Sequence, residues 1–267
     1  MKRFAALLAI LAPALTGAAE EVPFVVSPDN VTLAMLQIAK VGPEDYVIDL
    51  GSGDGRIVLT AAKRFGARGL GVEIVQDLVD KSRESARQMG VAQRAHFRQQ
   101  DLFHTDLSPA NVVTMYLLPE VNLQLRPKLL QLRPGTRVVS HDWDMGEWEP
   151  DKTVVLDVPE KSVGLEKKSK VYLWTVPARV EGMWCGVGKW KGTSLKLSQS
   201  FQKFAGEIAD GQGKREFQGR IGGEILRAPP GLTLTHEGER IRATYTSGKY
   251  SALRGATFAR ARGQSCK

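Results

Sequence analysis

The chain has 267 residues, 42% hydrophobic and 25% charged, which is typical of a folded globular protein and excludes a wholly disordered one. This length predicts one large domain or two smaller ones. The net charge of +8 is uneven, because residues 178–267 carry 16 Lys and Arg against 7 Asp and Glu, and the remainder is nearly neutral. Since this basic segment lacks a basic helix interleaved with aromatic residues, we do not expect nucleic-acid binding.

The N-terminus has the layout of a secretory signal peptide. Lys2 and Arg3 precede an uncharged apolar run at 4–19 that ends in small residues, and cleavage is expected after Ala19. The run is shorter than the roughly 20 residues that cross a bilayer. We therefore expect an exported protein, periplasmic or otherwise outside the cytoplasm. An uncleaved membrane anchor and a cytoplasmic protein are the alternatives.

From residue 20 to 177, predicted strands and helices alternate. A helix begins near Asp29, and five strands follow in "YVIDL", "GLGVEI", "AHFRQQD", "NVVTMYLL" and "TRVVSHDW", with helical segments after the first, second and fourth. Two further strands, "KTVVLDVP" and "SKVYLWTVP", have no helix between them and suit an antiparallel edge pair. This order predicts an α/β fold, a doubly wound, Rossmann-like, seven-stranded sheet with helices on both faces.

Residues 178–267 predict a separate basic domain. Short alternating segments separated by Gly- or Asp-bearing turns, with no helical pattern, indicate a small antiparallel β-barrel or sandwich. The two cysteines of the chain, Cys185 and Cys266, lie near the two ends of this segment. In an exported protein they are expected to form a disulfide, whereas two unrelated thiols are the alternative.

A glycine-rich turn follows the first strand, at Gly51, Gly53 and Gly55. The dinucleotide-binding fingerprint requires a glycine where this chain has Arg56. Asp49 stands at the mouth of the loop, where it would repel a pyrophosphate by roughly 4 kcal/mol at 4 Å and an effective dielectric near 20. It would attract a ligand that carries an ammonium and a sulfonium. The loop therefore favours S-adenosylmethionine over NAD or ATP.

Two more acids end the next two strands. Glu73 is suited to accept hydrogen bonds from ribose hydroxyls, and Asp101 from an adenine amino group. Each acid alone could be an ordinary strand-end residue. Three acids at three successive carboxyl ends indicate a ligand site, because open α/β sheets bind ligands at that edge.

These motifs carry a family resemblance. "DLGSGDG", "GVEI" and "QQDLF" resemble the class I (seven-β-strand) S-adenosylmethionine-dependent methyltransferases. Residues 23–148 resemble the small protein-lysine methyltransferases of bacteria and mitochondria, which include enzymes acting on ATP synthase and on the adenine nucleotide translocase. The resemblance does not cover the basic segment. The candidate cofactor site comprises Asp49, Gly51, Ser52, Gly53, Asp54, Gly55, Glu73, Ile74, Asp101 and Leu102.

The resemblance places the methyl acceptor beside the residues that follow the fourth strand. Tyr116 would pack against a lysine stem or accept a hydrogen bond from its amine, and Glu120 would take the proton, directly or through water. As alternatives, Tyr116 is a core aromatic and Glu120 a first-turn helix acid. A lone histidine such as His141 is more often structural than catalytic. The candidate substrate-binding residues are Phe24, Ser27, Pro28, Leu118, Pro119 and His141.

The sequence thus predicts a methyltransferase that uses S-adenosyl-L-methionine, with a protein lysine as acceptor. Two alternatives stay open: an exported protein of this fold that binds without turnover, and a methyltransferase of a small molecule. No metal site is expected, because His96, His104 and His236 lie in different segments without ligand spacing. The basic segment could contact an anionic membrane surface.

Overall fold

The computed structural model of the protein describes residues 26–161, 166–263 and 265–266. The predicted signal peptide at 1–19 and the candidate substrate residue Phe24 lie outside the described residues. No helix in the described ranges is long and apolar enough to span a membrane.

The first part of the chain forms a seven-stranded mixed sheet, as predicted. Its order is β3-β2-β1-β4-β5-β7-β6, with β1 to β5 parallel and β7 antiparallel to both of its neighbours. The predicted antiparallel edge pair is therefore confirmed. The strands are β1 (Tyr46–Leu50), β2 (Arg68–Glu73), β3 (Ala95–Gln99), β4 (Val112–Met115), β5 (Arg137–His141), β6 (Lys152–Asp157) and β7 (Lys168–Thr175).

Helices cover both faces of this sheet. They are α1 (Asp29–Ile38), α2 (Arg56–Phe65), α3 (Gln76–Gln88) and α4 (Pro119–Leu129). Successive strand residues point to opposite faces, so Val47 packs in a core with α1 and α2, while Ile48 packs in another with α4. Central strands are buried on both faces, which explains why β1 and β4 are almost continuously apolar.

The second part forms a closed eight-stranded antiparallel barrel. Its strands are β8 (Gly182–Gly186), β9 (Ser194–Ser200), β10 (Lys203–Asp210), β11 (Gly213–Gly222), β12 (Ile225–Ala228), β13 (Leu232–Glu237), β14 (Arg240–Thr246) and β15 (Thr257–Arg260). Pairing of β15 with β8 closes it, which decides between the two predicted architectures in favour of a barrel. Trp184, Tyr250 and Phe258 are fully buried inside.

The predicted disulfide is confirmed. Cys185 and Cys266 are bonded, with their Cα atoms 5.4 Å apart. Cys185 lies on β8, but Cys266 follows the end of β15 rather than lying on it.

Candidate active site

The candidate site residues lie along one edge of the sheet, where β1 to β5 end. Because these strands are parallel, their carboxyl ends all meet at this edge. The glycine loop follows β1, and Glu73 ends β2. Asp101 follows β3, Tyr116 follows β4, and His141 ends β5.

The glycine loop requires its glycines. Gly51, Gly53 and Gly55 have φ angles of 70°, 53° and 79°, in the left-handed region that favours glycine. A Cβ on Gly51 would lie 2.8 Å from Leu117 Cδ2, so the loop packs closely on the residues after β4. Arg56 donates to Asp54 and to the backbone carbonyl of Ser27, which ties the start of α2 to the segment before α1.

Asp49 is buried beneath the loop rather than at its open mouth. It is 2% exposed, because its side chain points from β1 toward β4, where Thr114 Oγ1 donates to Asp49 Oδ1 at 2.7 Å. Burial raises the pKa of Asp49 to about 7, and the charges of Asp54 and Glu73 act in the same direction. A cationic ligand in the loop would favour the ionised form of this carboxyl.

Glu73 holds the loop against the end of β2. Its Oε2 accepts from Gly53 N at 2.9 Å, and its Oε1 accepts from Ile74 N and Val75 N at 2.8 and 3.1 Å. Asp101 Oδ1 accepts from Phe103 N at 2.8 Å. Both carboxylates are therefore held in place by backbone donors, and carboxylate oxygens have further lone pairs for ligand hydroxyl or amino groups.

These residues fit S-adenosylmethionine. The loop is a left-handed cradle, and the buried Ser52 Oγ has no hydrogen-bond partner among the described residues. Ile74 is 64% exposed beside Glu73, which offers apolar surface for an adenine ring, and Leu102 is partly exposed beside Asp101. When bound, S-adenosylmethionine supplies an electrophilic methyl group on a sulfonium.

The acceptor side is built around Tyr116 and His141. Their rings stack with centroids 3.9 Å apart. His141 is 1% exposed, with Nδ1 at 2.9 Å from Ser27 Oγ and Nε2 at 2.9 Å from Ser169 Oγ. Burial lowers its pKa to about 4, so the imidazole is neutral at physiological pH. Since both ring nitrogens have protein partners, we infer that His141 supports Tyr116 from beneath.

The other predicted acceptor-side residues surround this stack. Leu118 is exposed, Pro119 begins α4, and Glu120 is exposed in the first turn of that helix. Burial, together with the charge of Asp142 and a hydrogen bond to it, raises the pKa of Tyr116 to about 12. The Tyr116 hydroxyl therefore keeps its proton throughout the physiological range.

Sequence reasoning missed Asp142. It follows β5 directly, as Asp101 follows the region of β3, so the rule that singled out the other strand-end acids would also have identified it. Its Oδ1 accepts from Lys170 N at 2.9 Å, and its Oδ2 lies 2.7 Å from Lys161 Nζ. Trp143, the next residue, is 41% exposed at the same edge. Among the residues described, no cluster of three potential metal ligands occurs.

Known proteins share this part of the chain. Residues 49–152 match the ANTKMT methyltransferase domain. A protein-lysine N-methyltransferase from Saccharolobus islandicus is 44% identical over 138 residues, which are 51% of this chain and 86% of that protein. The chain belongs to the protein-lysine N-methyltransferase family.

Other members of this methyltransferase family match over shorter shares of their own length. The mouse ATP synthase lysine N-methyltransferase, named for one subunit of that complex, is 38% identical over 108 residues, 40% of this chain and 43% of that protein. The mouse adenine nucleotide translocase lysine N-methyltransferase is 34% identical over 132 residues, 49% of this chain and 57% of that protein. The chain therefore spans about half the length of these mouse relatives.

A solved structure supports the cofactor. It is an RNA methyltransferase from Salinibacter ruber in complex with S-adenosyl-L-homocysteine. It is 52% identical, has a TM-score of 0.54, and the match covers 58% of this chain and 96% of that chain. S-adenosyl-L-homocysteine is what remains of S-adenosylmethionine after methyl transfer. The protein is thus an S-adenosylmethionine-dependent methyltransferase of the class I fold, extended by a C-terminal barrel.

Proposed function

We propose that this enzyme transfers a methyl group from S-adenosylmethionine to the side-chain amine of a lysine in a protein. The observation that carries the proposal is the acceptor edge itself, where half-buried Tyr116 lies beside a carboxylate, Asp142. An aromatic face suits a lysine stem, and a carboxylate suits its ammonium. The named activities of the archaeal and mouse relatives support the same acceptor.

The residues of this chain would act mainly by positioning and by excluding water. The glycine loop, Asp49, Glu73 and Asp101 would hold the cofactor, and Tyr116 would orient the amine. A lysine with an ordinary pKa near 10.4 must lose a proton before it is nucleophilic, which a poorly solvated site favours. Glu120 is exposed near this edge and stays a candidate for taking that proton through water.

RNA is the competing acceptor, because the Salinibacter ruber protein is named an RNA methyltransferase. The basic barrel also provides positive charge. At the methyl-transfer edge, however, the exposed or partly exposed acids include Asp101, Glu120 and Asp142. Carboxylates at this edge repel phosphates and attract ammonium groups. We therefore favour a protein acceptor.

The test uses tritiated S-adenosylmethionine and protein extract of the source organism. We expect label that survives ribonuclease, disappears with protease, and yields N-methyllysine after acid hydrolysis. Glu73→Gln should abolish most transfer, because it weakens cofactor binding. Glu84→Gln is the matched control, since Glu84 pairs with Arg87 on the exposed face of α3. Ribonuclease-sensitive label would show an RNA acceptor instead.

We also propose that the enzyme is exported and cut after Ala19. The disulfide supports contact with an oxidising compartment. Mass spectrometry of protein from its native host should find Glu20 as the first residue and Cys185 linked to Cys266. An intact Met1 with two free thiols would contradict export.

The basic barrel would then lie toward an anionic membrane surface. Its surplus of Lys and Arg over acids supports this orientation. Sedimentation with vesicles tests it: binding is expected with phosphatidylglycerol and not with phosphatidylcholine. Equal binding to both vesicles, or to neither, would exclude charge-directed contact.

A further inference from the structure

A lysine of the enzyme itself lies at the acceptor edge. Lys161 follows β6, and its Nζ lies 2.7 Å from Asp142 Oδ2 and donates to Lys168 O at 2.6 Å. The Lys161 and Asp142 side chains are only 16% and 13% exposed. An ammonium group on an aliphatic stem is therefore already bound, largely out of solvent, in the part of the site that faces the acceptor.

The Asp142 carboxylate is fixed by the backbone around it. Asp142 has a φ of 61°, an uncommon conformation for a residue other than glycine. Its N–H donates to Lys170 O at 2.7 Å, and its Oδ1 accepts from Lys170 N at 2.9 Å. With Oδ1 bound to the end of β7, Oδ2 is the oxygen that takes a cation. Such a fixed carboxylate is a preorganised ammonium site.

Asp142 also adjoins the aromatic residue of the acceptor side. Tyr116 stacks on His141, the residue before Asp142, and the Asp142 charge acts on the Tyr116 hydroxyl. His141 Nε2 lies 3.4 Å from Asp142 Oδ2. An aromatic ring and a carboxylate thus lie together at the edge where the cofactor loop also ends.

We propose that Asp142 binds the ammonium of the acceptor lysine, and that Lys161 occupies this position until the acceptor displaces it. The inference rests on the proposed function and names its amine-recognition residue. Replacing one ammonium with another keeps the buried carboxylate paired, which avoids the large cost of leaving it alone. When the acceptor amine loses its proton, Oδ2 is placed to accept it and to release it to water.

Two substitutions test the assignment in the full-length enzyme. Lys161→Met keeps the stem and removes the charge, so it should lower the apparent KM for extract protein by about threefold or more through loss of the competing cation. Asp142→Asn keeps an oxygen for Lys170 N and should raise that KM by about tenfold, as for loss of a charged hydrogen bond. Neither should change the affinity for S-adenosylmethionine. Lys152→Met is the control, because Lys152 is exposed at the start of β6.

A measurement on the unmodified enzyme guards against folding defects. Butylammonium should inhibit competitively against extract protein and not against S-adenosylmethionine, whereas butanol, its uncharged counterpart, should not inhibit. Lack of competition by butylammonium would overturn the proposal. So would an unchanged KM in Asp142→Asn, or a Lys161→Met enzyme that loses thermal stability without any fall in KM. If wild-type enzyme forms no methyllysine at all, the proposed function fails instead.

Discussion

Phe201 of the barrel stacks on Trp148 of the sheet domain, with ring centroids 6.4 Å apart and planes inclined by 13°. The Arg126 guanidinium of α4 lies over the same phenyl ring, 5.6 Å from its centroid. The next barrel residue, Gln202, donates to Glu149 O at 2.5 Å. The turn between β9 and β10 therefore holds the connection at 142–151.

This connection links the active site to the barrel. It starts after His141 at the catalytic edge and ends at Lys152, where β6 begins at the opposite edge. Near the catalytic edge, Asn122 of α4 donates to Trp143 O and Asp144 O at 3.2 and 3.3 Å. The barrel thus anchors one end of a segment whose other end carries Asp142 and Trp143.

Replacing Phe201 by Ala should loosen the connection. We expect a fall in the free energy of unfolding of about 2 kcal/mol, from lost aromatic packing, and faster amide exchange in residues 142–151. Hydrogen-exchange mass spectrometry measures the second effect. Tyr245→Ala is the matched control, because Tyr245 is 59% exposed on β14 of the same barrel. Equal exchange at 142–151 in both variants would show that the barrel does not anchor this segment.

The features that were predictable from sequence are the local ones. The glycine loop and the acids after β1 and β2 follow from strand ends and turn residues, and the parallel order follows from the alternation of strands and helices. His141 was not interpretable in this way, because its partners Ser27 and Ser169 lie 114 and 28 residues away. Barrel closure was also undecided, because alternation is the same in a sandwich and closure depends on the β15–β8 pair.

Asp49 and His141 should give the fold opposite dependences on pH. The pKa of Asp49 is raised from 3.8 to about 7, chiefly by burial, so this carboxyl destabilises the fold as pH rises through that window. The pKa of His141 is lowered from 6.5 to about 4, also by burial, so this imidazole destabilises the fold as pH falls through its window. Each shift corresponds to on the order of 3 kcal/mol, so the two slopes largely cancel between about pH 4 and 6.5.

Single substitutions should separate these slopes. In Asp49→Asn, which can still accept from Thr114, stability should rise with pH over that range, and it should exceed that of wild type near pH 8. In His141→Gln, stability should fall as pH rises. Urea unfolding followed by tryptophan fluorescence at a series of pH values measures both. Identical pH slopes in the three proteins would mean that neither group titrates with the folding transition.

Tyr116 should act through its ring more than through its hydroxyl. Its pKa of about 12 excludes a role as a base at physiological pH, and its ring lies on His141. Tyr116→Ala should reduce methyl transfer by about tenfold, or about 1.4 kcal/mol, with cofactor affinity nearly intact. Tyr116→Phe, which keeps the stack, should lose less. A parallel loss of cofactor affinity and transfer in Tyr116→Ala would indicate a core aromatic, the alternative interpretation of this residue.

The disulfide should stabilise the closure of the barrel. β15 and β8 share a short seam, in which Phe258, Ala259 and Arg260 pair with Gly186, Cys185 and Trp184. The bond from Cys185 to Cys266 ties the end of the chain to this seam. Because it spans 81 positions along the chain, it also restricts the unfolded state.

Reduction with dithiothreitol should therefore lower the free energy of unfolding by about 2–4 kcal/mol. The loss should fall on the barrel, so that amides of β8 and β15 exchange faster while those of β1 and β4 do not. A variant with both Cys185→Ser and Cys266→Ser should show the same loss and no further response to dithiothreitol, which controls for other effects of the reagent. Unaltered exchange at β8 and β15 after complete reduction would mean that strand pairing and the apolar interior hold the barrel closed without the bond.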